Sequence, residues 1–132
     1  MKYIDELIQV VIKAAYKVHN TLGAGFWEKI YEQALLIELR NSGVEVEAQY
    51  PVNVFYEGEK LGEYFADLFV DDCLIVEIKA VENLTVGHEK QLVNYLAATK
   101  IDDGVLINFG SSVQIKRKFR VYKNTSQDIS QN

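Results

Sequence analysis

Residues 72–81 read DCLIVEIKAV, and the placement of that stretch decides the fold. Leu74, Ile75 and Val76 make an apolar run suited to a buried strand. Glu77 and Lys79 then follow inside it, on either side of Ile78. Side chains alternate along a strand, so Glu77 and Lys79 share a face with Ile75. Two charges on a core-like strand are costly unless something pairs with them.

Working outward, the preceding stretch LGEYFADLFV, 61–70, reads as a strand joined to the first through a tight connection at Asp71 and Asp72. Before it, VEVEAQYPVNVFYEG, 44–58, sets Val44 and Val46 against Glu45 and Glu47 with a period of two, and EGEK, 57–60, is a turn. Together these segments predict an antiparallel meander. Downstream, HEKQLVNYLAAT, 88–99, reads as a helix. DGVLINFG, 103–110, is a short apolar strand buried on both faces, and VQIKRKFRVY, 113–122, alternates again. At the front, Ile4, Leu7, Val11, Ala14 and Val18 recur at helical spacing, up to a break at Gly23 and Gly25. A second helix is expected from about Trp27 to Asn41, with Ile30, Ala34, Leu35 and Leu39 inward and Gly43 as its stop. The expected order is α-α-β-β-β-α-β-β, an α+β (or α/β) sandwich with a mixed sheet flanked by helices. One domain spans 1–122, and the polar residues 123–132 form a flexible tail.

Composition narrows the class. At 132 residues, 48% of them hydrophobic, the chain suits one domain with a core of its own. No apolar run approaches the length needed to span a bilayer, so no membrane partner is expected. Asp5 and Glu6 stand early, and no small-residue cleavage site follows an apolar block, so the N-terminus does not read as a signal peptide. The single Cys73 cannot close an internal disulfide, and a cytoplasmic location is the expectation. Fourteen Lys and Arg stand against nineteen Asp and Glu, a net charge of −5, which argues against a general nucleic-acid coat protein. The charge is uneven, because KRKFR, 116–120, places Lys116, Lys118 and Arg120 on one face of the last strand. That face is either a solvated, charge-defended edge or a groove that tracks phosphates.

Asp67 stands on the second strand of the meander between Phe65 and Phe69, and desolvation there would favour its neutral form. With Glu77 and Lys79 it makes a constellation across a hairpin. Two carboxylates so placed repel unless a cation lies between them, and a hard divalent ion takes one or two carboxylates plus waters and phosphate oxygens. The alternative is a solvated surface ion pair between Glu77 and Lys79. A shared site imposes a condition on register, because each one-residue slip reverses the face. If Val70 pairs with Leu74 around Asp71, Asp72 and Cys73, Asp67 stands opposite Glu77. An odd-length connection there, or a bulge, is therefore expected.

The D-x9-E-x-K pattern resembles the PD-(D/E)XK nuclease superfamily. GFWEKIY, 25–31, fits the G-x-x-E-x-x-Y signature of the GxxExxY family of predicted nucleases, and QLVNY, 91–95, is similar to the Q-x-x-x-Y element of exonuclease-like members. Ala66, not Pro, precedes Asp67. The resemblance runs from about His19 to Phe109. It implies a restriction-endonuclease-like core and a metal-dependent nuclease that hydrolyses phosphodiester bonds, with DNA ranked ahead of RNA as substrate. It further implies that Asp67, Glu77 and the Ile78 carbonyl ligate Mg²⁺ or Mn²⁺, and that Lys79 orients the attacking water. Glu28 would bind metal through water or support a second ion, and Gln91 and Tyr95 would position the nucleophile or the phosphate. Whether His19 or Glu32 reaches the metal stays open at this point. The bland alternatives are packing for Trp27, Tyr31 and Tyr95, solvation for Glu28, and a helix-capping role for His19. The competing function is a non-catalytic nucleic-acid-binding or regulatory module of the same fold, working with a partner. The acidic balance and small size point to a homodimer or partner protein that completes the nucleic-acid surface.

Overall fold

The computed structural model describes residues 3–120. The tail at 123–132 and the end of the last predicted strand, Val121 and Tyr122, lie outside the described residues. The elements run α1 (Tyr3–Leu22), α2 (Glu28–Asn41), β1 (Val46–Tyr56), β2 (Glu59–Val70), β3 (Leu74–Lys79), α3 (Val86–Thr99), β4 (Asp103–Phe109) and β5 (Val113–Phe119). This is the order expected from the sequence.

The five strands form one sheet in chain order, β1-β2-β3-β4-β5. β1, β2 and β3 are the antiparallel meander, β4 runs parallel to β3, and β5 returns antiparallel on the edge. A parallel neighbour cannot be reached by a tight turn, and α3 supplies the crossover between β3 and β4. That places β3 and β4 at the centre, which is why LIVEIK and DGVLINF are the most apolar strands.

Helices cover both faces. α1 and α2 pack over Leu68, Val70, Leu74, Val76, Ile78, Val105, Ile107 and Phe109. α3 packs over Val52, Ala66, Phe69, Ile75 and Leu106 through Leu92, Tyr95 and Leu96. The approach of α3 to β4 is close enough that a Cβ on Gly104 would lie 2.9 Å from Leu92.

α1 buries the expected stripe, Leu7, Val11, Ala14 and Val18. α2 departs from expectation. Ile30 is 42% exposed and Trp27, at the N-cap position, is 82% exposed, so neither packs inward. The buried stripe is Tyr31, Glu32, Leu35, Leu36 and Leu39. Tyr31 sets this rotation: its ring stacks on Phe109 at 4.6 Å and its hydroxyl donates to the Gly23 carbonyl at 2.6 Å. Ile30, about 100° away around a 3.6-residue turn, is carried outward.

One polar side chain is wholly buried in the central strand. Asn108 accepts from the Val81 N–H at 2.9 Å and donates to the Val81 carbonyl at 2.8 Å and to Gln114 Oε1 at 2.9 Å. It ties the segment that leaves β3, just past Lys79, to β4. Asn108→Ala would leave both Val81 groups without this partner. The expected cost is about 1–3 kcal/mol, read as a lower denaturant midpoint at unchanged slope.

Candidate active site

The β2–β3 connection is Asp71, Asp72 and Cys73, with Val70 paired to Leu74, Phe69 to Ile75 and Leu68 to Val76. This is the odd-length register that the shared-site argument requires. Asp71 and Asp72 take positive φ values of 50° and 56°, a conformation that Asp tolerates better than most residues. The next residues in register are Asp67 and Glu77. There the β2–β3 ladder stops, whereas β3 stays paired with β4 along its whole length.

The two strands diverge into a fork that the carboxylates fill. Glu77 Oε2 accepts from the Asp67 N–H at 2.7 Å, and Asp67 Oδ2 accepts from the Ile78 N–H at 2.7 Å. Each carboxylate thus replaces a missing backbone partner with one oxygen and keeps the other for a ligand. The N–H and C=O of one strand residue project to the same side, so the Ile78 carbonyl also opens toward the fork. Burial, then the adjacent Asp67 charge, pushes the Glu77 carboxyl well above the carboxylate range. Burial also raises Asp67, opposed by its hydrogen bond from Ile78 and reinforced by Glu32 and Glu28. The charged form of both carboxyls is disfavoured, and added positive charge would restore it.

Lys79, half-buried, lies near enough to favour the charged form of both carboxyls. Glu28, in the first turn of α2, is exposed, yet its charge reaches both. Glu32 is buried, accepting from Lys29 at 3.3 Å and from the Gln49 amide at 3.0 Å. Gln49 stands opposite Asp67 on β1 and carries a φ of 55°, so the irregular backbone at the fork continues into the neighbouring strand. Among the described residues no three His, Cys, Asp or Glu side chains close on one point. The donor set at the fork is therefore two carboxylates and a carbonyl. It suits a hard cation that takes its remaining ligands from water and phosphate.

On the α3 side, Tyr95 is buried with its ring 5.8 Å from Tyr64. Burial, then the charges of Glu77 and Asp67, push its hydroxyl up to about 12, which places Tyr95 beside the fork. Gln91, one turn earlier, lines the same side of α3. His88, four residues before Leu92 on that helix, serves the cap: it and Thr85 form a reciprocal capping box at 3.2 and 3.1 Å. His19 bonds the Gly110 carbonyl through Nε2 at 2.8 Å and stacks on Phe109, so it holds the loop after β4 and does not cap its own helix.

The basic face of β5 is largely paired. Lys118 bridges to Glu89, whose carboxyl this contact holds below its ordinary range, and Arg120 bridges to Asp102 at 2.7 Å. Lys116 is exposed. Glu32, left open from the sequence, is buried on the stripe of Leu35, Leu36 and Leu39. Two further residues that bear on the fork were not singled out from the sequence. Asn108 is a polar residue inside an apolar strand. Tyr64 left no local signal.

A family model described as the PD-(D/E)XK nuclease superfamily matches residues 5–120. The chain belongs to that superfamily. Its members are usually nucleases and typically use divalent metals. A search of curated proteins returned no match. Among solved structures, the one described as "Crystal structure of SSO0001" superposes with a TM-score of 0.57 at 19% identity. The likeness covers 70% of this chain and 50% of that one, so this chain spans half the length of that protein. At that identity the likeness shows a shared fold alone. No helix among the described residues is long and apolar enough to cross a membrane.

Proposed function

We propose that this PD-(D/E)XK protein is a metal-dependent nuclease that hydrolyses phosphodiester bonds, with DNA ahead of RNA as substrate. The observation that carries the reading is the pair Asp67 and Glu77, facing each other where β2 and β3 part, with Lys79 two residues further along the same strand. Asp67, Glu77 and the Ile78 carbonyl would hold Mg²⁺ or Mn²⁺. When bound, that ion stabilises charge on the phosphate and lowers the pKa of the attacking water. Lys79 orients that water for in-line attack on phosphorus. Gln91 and Tyr95, on the other wall, position the phosphate or nucleophile. Glu28 tunes the charge of the pair from the first turn of α2 and takes part through water.

We further assign the chain to the GxxExxY family, on Gly25, Glu28 and Tyr31. Tyr31 anchors the α1–α2 connection, accepting from the Phe26 N–H at 3.2 Å and donating to Gly23, which fixes where Glu28 stands. A cytoplasmic location, and a homodimer or partner protein completing the substrate surface, belong to the same reading.

The test is cleavage of labelled single-stranded, duplex and branched DNA and RNA across a Mg²⁺ and Mn²⁺ titration. Cleavage that requires the ion and stops in excess chelator is expected. Cleavage that survives the chelator would remove the metal mechanism. The β5 face gives a second expectation. With Lys118 and Arg120 paired to carboxylates, most of the cationic contribution falls to Lys116. Lys116→Ala should reduce the slope of log K against log salt by about 0.7–0.9. An unchanged slope would assign the face to solvent or to a protein contact.

A further inference from the structure

A groove of about 700 Å³ lies between the β1–β2 hairpin and α3, with Tyr95 in its lining on the side of the carboxylate fork. Tyr64 and Tyr95 form one wall, their rings 5.8 Å apart and tilted by 39°. Tyr64 is 52% exposed, so this aromatic wall is open to a ligand. Gln91 and Asn94 bring carboxamides to the lining, and Lys90 brings a cation. Val52 and Leu61 complete an otherwise apolar surface.

We propose that this groove receives unpaired bases of a single-stranded nucleic acid and makes single strands the preferred substrate of the adjoining site. The inference rests on the nuclease reading and names its substrate class. Three features select this occupant. First, the volume matches pockets that take small molecules, about 300–1,000 Å³. It suits one or a few nucleotides and is too small to enclose a duplex. Second, an open aromatic face beside carboxamides offers what an unstacked base uses: a stacking platform, and donors and acceptors for its edge. Third, the cations of β5 and its end other than Lys116 are engaged elsewhere. Lys118 pairs with Glu89, Arg120 with Asp102, and Arg117 with Asp5 and Asp103. In a chain of net charge −5, a surface that grips phosphates alone is poorly supplied, and stacking is the contact that remains. The groove also has the right position. Tyr95 belongs to it and packs in one cluster with Ala66 and Ile75, the neighbours of Asp67 and Glu77 on β2 and β3, so a base stacked beside Tyr64 would bring its neighbouring phosphate toward the fork.

The experiment measures binding separately from cleavage. The probes are a fluorescein-labelled thymidine oligonucleotide and the duplex it forms with its adenosine complement. Fluorescence anisotropy is read in Ca²⁺ on the full chain carrying Asp67→Ala, so that no substrate is consumed. The single strand should bind at least about tenfold more tightly than the duplex. Adding Tyr64→Ala should weaken single-strand binding by roughly 5- to 100-fold, the range of one lost base–aromatic stack, and leave duplex binding unchanged. Tyr64→Phe should restore it. Tyr64 is half exposed, and thermal unfolding would verify that the variants remain folded. Equal binding of duplex and single strand would overturn the inference, as would no effect of Tyr64→Ala in a folded protein. Metal-dependent duplex cleavage by the unmutated chain alongside either result would leave the nuclease reading intact. Tyr64-dependent single-strand binding without cleavage of any substrate would have the opposite meaning: the groove would stand and the catalytic reading would fall.

Discussion

Replacing Asp67, Glu77 or Lys79 is expected to remove metal-dependent phosphodiester cleavage while leaving the fold in place. Asp67→Ala and Glu77→Ala each take away one of the two carboxylates in the fork, and their activity should fall to the level seen in excess chelator. In the proposed mechanism Lys79→Ala removes the charge that orients the attacking water. It should lower kcat by about 10²–10³-fold, the usual cost of losing one group that stabilises developing charge. The isosteric changes separate charge from packing. Asp67→Asn and Glu77→Gln keep an oxygen to accept from Ile78 and Asp67, where the present contacts are 2.7 Å. Inactivity of these variants, with circular dichroism unchanged, would assign the loss to the missing charge. Wild-type kcat in Lys79→Ala would dismiss its role. Unfolding of all three alanine variants would recast the cluster as a structural network.

The second large effect is on stability in the absence of metal. Glu77 is raised from 4.5 to about 8, and Asp67 from 3.8 to about 6, with burial the leading cause for both. A carboxyl that binds its proton more tightly when folded contributes stability at low pH. That contribution is fully present below the unfolded value and is lost as pH rises through the folded one. The chain in chelator should therefore lose stability from about pH 4.5 to about pH 8, by an amount on the order of a few kcal/mol. Glu77→Gln cannot ionise there, and its melting temperature should change much less over that window. The two proteins should converge near pH 4 and separate most near pH 8–9, with the variant the more stable. Mg²⁺ or Mn²⁺ should raise the wild-type melting temperature at pH 8 and leave Glu77→Gln nearly unmoved, because a ligand that binds only the folded state stabilises it. A wild-type melting curve that is flat across this range would show that the carboxyls are not held in the strained state described.

Much of this was legible one element at a time. Periodicity located the helices and strands, because burying one face imposes a local repeat of 3.6 or 2 residues. A charged pair inside LIVEIK marked the candidate site, since charge in a central strand is costly. The requirement that Asp67 face Glu77 predicts the odd-length turn at Asp71, Asp72 and Cys73, which the register shows. The misplaced residues have a common cause. Ile30 and Trp27 are apolar and stand near the apolar stripe of α2, but helix rotation is set by what the helix meets. Here it meets Phe109, through Tyr31. The basic cluster on β5 likewise reads as a free cationic face until α3 and the loop before β4 bring Glu89 and Asp102 against it.

The sequence by itself determined the element order and the meander, and it nominated Asp67, Glu77 and Lys79 as the candidate site, all from patterns within a few residues of one another. The tertiary structure alone decided the rest. It opened a fork where β2 leaves β3, buried Glu32 and bent Gln49 toward it, and closed a groove between Tyr64 and Tyr95, 31 positions apart in the chain. Such features depend on how sheet and helices approach in space. A side chain's neighbours across a packed layer come from segments whose local patterns carry no record of each other.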